Sequence, residues 1–353
     1  MTAPASQAVA AQKQHASRKR RPEGLPLADA RAAAPRFDWR AAPPAVPRFL
    51  GTRTIGPVPL ADLVRYIDWM PFFNAWEFPG KFPEILEDPV RGVAASALWK
   101  DAQAMLGTLV REHWLTAQGV VGLFPAAAEG DDIVVYADPA RSARLDTLHH
   151  LRQQKVKPAG QAQLCLSDYV APEGSGVDDY VGAFAVTAGI GIEAPVLRFE
   201  AAHDDYSAIL LKALADRFAE ALAEALHERV RREFWGYAPD ERLTGEALVR
   251  EEYRGIRPAP GYPACPDHSE KAALWRLLDT GQAAGIRLTE SYAMYPAASV
   301  SGWYFAHPEA RYFAVGPIGV DQLESYARRK GIPVAEARRW LAPLLGQSEA
   351  DAA

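Results

Sequence analysis

The sequence predicts an α+β fold in which an antiparallel β-sheet is flanked by helices, behind a flexible N-terminal segment. Three observations carry that prediction. Helix-period and strand-period segments are interspersed without a β-α-β rhythm, which argues against a parallel sheet. Of the 353 residues, 49% are apolar and 24% charged, the proportions of a globular chain. No internal repeat and no second linker divides the sequence, so one large domain over 51–353 is expected after a tail and linker at 1–50.

The elements follow in order. Residues 1–50 are dominated by Ala, Gln, Lys, Arg and Pro, and their apolar positions keep neither the helix nor the strand period. From about Pro57 the pattern changes. Leu60–Ile67 reads as a helix that runs into Asp68 and Trp69 and breaks at Pro71. Ser96–His113 reads as a second helix, with Leu98, Ala102, Leu106 and Leu109 on one stripe. Strand-like runs follow at Val120–Phe124, at Ile133–Tyr136 after the turn at 129–131, and at Tyr180–Val186. A long helix is expected over Asp204–Trp235, its Leu210, Leu214, Phe218, Leu222 and Leu226 spaced by four. Four prolines crowd the loop Arg254–Asp267. Asp267 and Glu270 then fit a capping box that opens a helix to about Leu278. Gly302–Phe305 and Tyr312–Val315 read as a hairpin around His307-Pro308, and helices at Val320–Lys330 and Val334–Leu341 finish the chain.

Charge and cysteine usage exclude several classes. Lysine and arginine total 39 against 44 acidic residues, a net charge of −5. The basic residues Lys13, Arg18, Lys19, Arg20 and Arg21 sit together near the N-terminus, which leaves the rest of the chain acidic, so no nucleic-acid partner is expected. No apolar run approaches the roughly 18 residues that span a bilayer, and no membrane association is expected. The N-terminus lacks the apolar region of a secretory signal. Cys165 and Cys265 are too few for a disulfide framework or a cysteine-rich metal cage, and a cytoplasmic location follows.

Four features invite a functional reading. Gly189-Ile-Gly191-Ile-Glu-Ala194 matches the spacing of a dinucleotide fingerprint, but Pro195 follows and no second parallel strand is in view, so a turn is favoured. His149-His150 has no third ligand at useful spacing, and neighbours on a strand point to opposite faces. Lys212, Asp216 and Glu220 share one helix face, which reads first as a solvated, salt-bridged face. The loop Arg254–Pro266 is the most unusual. Alternating Pro and Gly give a stiff, irregular backbone with its polar groups turned outward, and Arg257 adds a planar fork suited to a carboxylate. A rigid connector and a small-molecule grip fit that loop equally well on these grounds.

Read as RGIRPAPGYPACPDHSEK, the loop resembles the C-terminal reactivation domain of cobalamin-dependent methionine synthase. The likeness is collinear along the chain: PRFDW at 35–39, YIDWMPFF at 66–73, GKFPEILEDPVRG at 80–92, HHLRQQ at 149–154, KALADRFAEA at 212–221, FWGYAP at 234–239, ASVSGWYF at 298–305 and YARRKG at 326–331. The resemblance implies a single curved domain around a twisted antiparallel sheet that binds S-adenosylmethionine (AdoMet). It further implies docking on a cobalamin module whose cobalt has been oxidised, with an electron from a flavodoxin-type donor and a methyl from AdoMet.

By the same resemblance Asp68 accepts from the ligand's ammonium, and Arg257 holds its carboxylate. The backbone of Pro258–Tyr262, with Ala259, Gly261 and Tyr262, cradles the adenosine side, and Tyr312 and Phe313 line the pocket. Glu220 and Glu251 are acidic candidates near the sulfonium, while Asp216 and Glu193 would face the cobalamin module. No acid–base, nucleophilic or metal-ligating residue is implied. The family's cobalt-ligating D-x-H-x-x-G loop and its three zinc cysteines are absent from this sequence, so cobalamin is expected on a partner chain. The expected state is a separately encoded subunit of a split enzyme or an incomplete gene product. Rival expectations are a docking module that has lost AdoMet and, less favoured, an independent methyltransferase.

Overall fold

The computed structural model describes residues 24–345, and the basic cluster at 13–21 lies outside them. The described residues group into two compact units. The larger comprises Arg36–Leu151 and Cys165–Ala314 and contains all eight strands described: β1 (Gly51–Val58), β2 (Thr116–Glu129), β3 (Asp132–Tyr136), β4 (Arg144–His149), β5 (Asp179–Ile190), β6 (Arg287–Leu288), β7 (Met294–Tyr295) and β8 (Ser299–Tyr304). The main sheet runs β4-β3-β2-β5-β8, with β1 on the first half of β2, and every pairing is antiparallel. The expected α+β class holds. β6 and β7 form a separate hairpin.

Both faces of this sheet are covered. Along β2, Val121 and Leu123 join one core with Phe184, Tyr304 and the long helix residues Leu214, Phe218 and Leu222. Val120 and Phe124 join the other with Val181, Trp303, Phe305 and the helix Lys271–Leu278. The alternation follows from the period of two. Burial on both faces also explains why β2 and β5 outrun the expected strands. Among the added residues, Ala126–Ala128 are small, apolar and buried in succession, so they carry no alternating pattern.

Several boundaries differ from the sequence reading for identifiable reasons. Pro71 does not end a helix; it occupies the first turn of Met70–Ala75, where its missing N–H costs nothing. β1 was not legible because Ile55 alone is buried along it. A helix does open at Glu193 directly after β5, but both neighbours of β5 are antiparallel, which rules out the dinucleotide unit. The long helix spans Asp205–Arg229 and then widens into a π-turn at Val230–Phe234. Tyr312–Val315 is not a strand. The edge of β8 that it would pair with is occupied, since Ile256 and Phe305 exchange two backbone hydrogen bonds of 3.0 Å.

The second unit, as far as it is described, comprises residues 24–35, Arg152–Leu164 and residues 315–345. Its helices are Leu27–Ala32, Val320–Lys330 and Val334–Leu341. Gln322 organises it: its Oε1 accepts from Arg152 N–H at 2.7 Å, and its Nε2 donates to Arg152 O at 2.8 Å and Gln154 Oε1 at 2.7 Å. Gln154 in turn donates to Leu25 O, and Asp321 accepts from Leu27 N–H. The described part of the 1–50 segment is therefore tied down at Leu25–Leu27. In the larger unit Phe37 and Trp39 pack on His307, with ring centroids 4.2 and 4.8 Å away. Among the described residues no helix is long and apolar enough to cross a membrane.

Candidate functional site

The long helix buries Leu210, Leu214, Phe218 and Leu222 against the sheet. Glu220, Glu224, His227 and Arg231 recur beside them at i, i+4, i+7 and i+11, a polar stripe on one side of the same chain segment. The solvated-face reading holds only for the start of this stripe. Lys212 is exposed and pairs with Glu200 at 3.3 Å, and Asp216 pairs with Arg217. Glu220 is half-buried; burial raises its carboxyl pKa, while Arg217 and Arg257 pull it back. Glu224, one turn on, is only 8% exposed.

Opposite this stripe the Pro/Gly loop is fastened to β8. Trp303 N–H donates to Pro258 O at 2.9 Å beside the Ile256–Phe305 pair. Gly302 permits this approach, because a Cβ there would stand 2.7 Å from Pro258 O. The loop then closes on itself. Tyr262 N–H donates to Ala259 O, Gly261 N–H to Cys265 O, and Cys265 N–H to Tyr262 O. Gly261 has φ +97°, and a Cβ would lie 2.2 Å from the His268 ring. The expected outward-facing backbone is thus only partly realised. Gly261 and Tyr262 spend their N–H groups internally, whereas Ala259 N–H has no acceptor among the described residues.

Arg257 lies where loop and helix meet. Its Nη2 is 2.7 Å from Glu224 Oε2, its Nη1 donates to Tyr253 Oη at 2.9 Å, and Nη1 is 3.2 Å from His227 Nδ1. Its backbone N–H donates to Tyr312 Oη at 2.9 Å. The side chain is 19% exposed. Burial works against its charge, yet Glu224 and the surrounding tyrosine hydroxyls hold the guanidinium pKa above its ordinary value. The Nε–H has no acceptor among the described residues. Nε and Nη2 together form the edge of a guanidinium that grips a carboxylate side-on.

Charge behind Arg257 is balanced inside the protein. Glu224 Oε1 stands 3.7 Å from Nη1 of the fully buried Arg231, and Arg231 Nη2 is 2.7 Å from Glu241 Oε1. Two guanidiniums therefore face two carboxylates before any ligand is considered. At the rim, Tyr312 is 37% and Tyr262 60% exposed. Burial raises the pKa of both phenols; Glu220 and Asp216 push Tyr262 further up, and Arg257 opposes the rise at Tyr312. Glu251, at the surface, is raised by partial burial and lowered by Arg257. Arg257, Glu220, Glu251, Tyr262 and Tyr312 accordingly form one electrostatic neighbourhood.

The other expected residues are placed differently. Asp68 Oδ1 accepts from Met70 N–H at 2.9 Å, and the turn before it is tied to the long helix by Tyr66 Oη donating to Glu228 Oε2. No hydrogen bond or ion pair joins Asp68 to Arg257 among the described residues. Phe313 is partly buried and packs against the second core. Glu193 accepts from Tyr295 Oη at 2.7 Å. His149 Nδ1 is 3.2 Å from Asp132, and His150 is buried near Phe305. Among the described residues no three His, Cys, Asp or Glu are grouped to hold a metal. Two surface cavities of about 470 and 280 Å³ lie away from Arg257, at Phe37 and Trp39 and at Tyr66 and Glu228.

Glu224, His227 and Tyr253 escaped the sequence reading. The signal for Glu224 was the stride of four running on from Asp216 through Glu220 to Glu228, beside the leucine stripe; His227 and Tyr253 lie off that stride.

Residues 59–331 match the family described as "Vitamin B12 dependent methionine synthase, activation domain". The chain belongs to that family. It is also similar to a solved structure, "Crystal Structure of the MetH Reactivation Domain bound to AdoHcy", at 55% identity and a TM-score of 0.88, covering 92% of this chain and 99% of that one. That relative carries AdoHcy, the demethylated form of AdoMet. The activation-domain fold and the ring of groups about Arg257 thus occur together in this chain.

Proposed function

We propose that this chain binds AdoMet and presents its methyl group to the cobalamin of a methionine synthase module, restoring the methylated cofactor after accidental oxidation. The observation that carries the reading is Arg257, held on three sides with its Nε–H left over at the end of a loop rimmed by exposed tyrosines. AdoMet, when bound, supplies a methyl activated by a sulfonium centre. The chain's residues bind and place it. Arg257 takes the carboxylate, and Asp68 the ammonium. Ala259 N–H and the backbone to Gly261 meet the adenosine, while Tyr262, Tyr312 and Phe313 supply apolar walls. Glu220 and Glu251 stabilise the positive sulfur, as aromatic faces also do.

No acid or base is needed from this chain, because the acceptor is a cobalt nucleophile on the partner; positioning is the lever. The electron comes from a flavodoxin-type donor, and the setting is cytoplasmic. Titration calorimetry with AdoMet and AdoHcy tests the reading. Saturable one-to-one binding of both is expected. Absence of binding by a folded chain would reject it in favour of a docking module that does not use AdoMet.

A further inference from the structure

We infer that His227 is a positioning residue for Arg257, an uncharged acceptor that aims the guanidinium without neutralising it. The inference rests on the reading of Arg257 as the carboxylate holder and deepens it.

The imidazole is fixed from three directions. Phe184, Tyr304 and His227 form one stack, with successive ring centroids 4.7 and 5.0 Å apart and planes tilted by 19° at each step. The Tyr253 ring meets the imidazole edge-on at 4.9 Å. Tyr237 Oη lies 3.5 Å from Nε2. In that fixed plane Nδ1 lies 3.2 Å from Arg257 Nη1, a nitrogen that can only donate. Nδ1 must therefore be the accepting nitrogen, which puts the ring's proton on Nε2, facing Tyr237. Burial, and then the nearness of Arg231 and Arg257, drives the imidazole pKa well below its ordinary value, so the ring is neutral.

Charge explains why a histidine serves here. Arg257 already faces Glu224, and Arg231 faces Glu224 and Glu241. A further carboxylate at position 227 would give the buried cluster a net negative charge and repel an incoming carboxylate. A neutral ring orients Nη1 through a hydrogen bond and leaves the positive charge in place. With Nη1 committed to His227 and Tyr253, the Nε edge is the one left for ligand.

The test is calorimetry with two ligands, AdoMet and decarboxylated AdoMet, which lacks the carboxylate. His227→Phe keeps the stack and removes the acceptor; His227→Asn offers an amide oxygen near the place of Nδ1. His227→Phe should weaken AdoMet roughly 10-fold, the scale of one charged hydrogen bond, and leave decarboxylated AdoMet unchanged. His227→Asn should recover most of the loss. Equal loss for both ligands, or no loss for either, would overturn the proposal. Arg257→Ala run alongside separates the two readings: if it does not discriminate between the ligands, the carboxylate assignment itself has failed. Should His227→Phe not fold, ¹⁵N-histidine NMR of the unaltered chain decides, because a proton on Nδ1 of His227 is incompatible with the proposal.

Discussion

The segment Arg152–Gln154 and the segment Arg257–Tyr262 both carry polar groups into the protein interior, and they dispose of them in opposite ways. In the first, amide side chains meet backbone almost group for group: Gln322 spans the backbone N–H and C=O of Arg152, and Gln154 is shared between Leu25, Asp321, Gly319 and Gln322. In the second, one carboxylate, two phenols and an imidazole meet Arg257 and the pairing stops short, leaving an Arg257 Nε–H and the Ala259 N–H over. Both stretches are equally distinctive as sequence motifs. A motif's specificity therefore does not reveal whether it serves the fold or a ligand; the unspent donors do.

The sharpest way to break the contrast is Gln322→Leu. It should destabilise the chain by about 3–5 kcal/mol, since each orphaned buried group costs about 1–3 kcal/mol. Chemical denaturation measures this, and AdoMet affinity of the protein that remains folded should not change. An AdoMet loss as large as the stability loss would mean that the first segment also serves the ligand.

Asp179 offers a third disposition, a buried carboxyl that accepts from Ala171 and Tyr180 N–H but has no close cation at hydrogen-bond range among the described residues. Burial pushes its pKa up to about 7. Below about pH 4 both folded and unfolded chains hold the proton. As pH rises, the unfolded chain ionises first, so the stability contribution is lost progressively until pH passes about 7, a change of a few kcal/mol. Asp179→Asn should remove this term. The melting temperature of the variant relative to the unaltered chain should therefore climb between pH 4 and 7, and a flat difference would contradict the assignment.

At the ligand segment the expected effects are on binding. Arg257→Ala should raise the AdoMet Kd roughly 10- to 150-fold, from about 1.5–3 kcal/mol for a charged hydrogen bond. Arg257→Lys should recover only part, because an ammonium lacks the fork. Tyr312→Phe removes the acceptor of Arg257 N–H and should cost about 3- to 10-fold, a neutral hydrogen bond's worth. Calorimetry reads all three. A Tyr312→Phe loss exceeding that of Arg257→Ala would reverse the ranking of side-chain charge over loop posture.

Legibility differed along the chain for physical reasons. The last two helices match residue for residue, because Gly331 at φ +71° and Pro333 punctuate them sharply. The class of fold was legible from the rhythm of elements. The strand at 312–315 was not, since its alternation is real but its place on β8 had been taken by Ile256, a contact between residues far apart in sequence. Arg257 and its tyrosines were legible through a long motif. Glu224 and His227 were hidden on a helix whose leucines already accounted for its burial, and only the distance to Arg257 gives them meaning.

Ile256 and Pro258 also decide what the outer border of the sheet offers to other molecules. An open β8 would present the amides of Trp303 and Phe305 as a template for strand addition by a second chain, the first step toward aggregation. The loop satisfies those amides, and Pro258 and Pro260 lack the N–H groups with which a further strand would pair. The same residues thus close this edge of the sheet to a further strand. A substitution that frees the loop from β8, such as a bulky side chain at Gly302, should show itself in solubility before it shows itself in affinity.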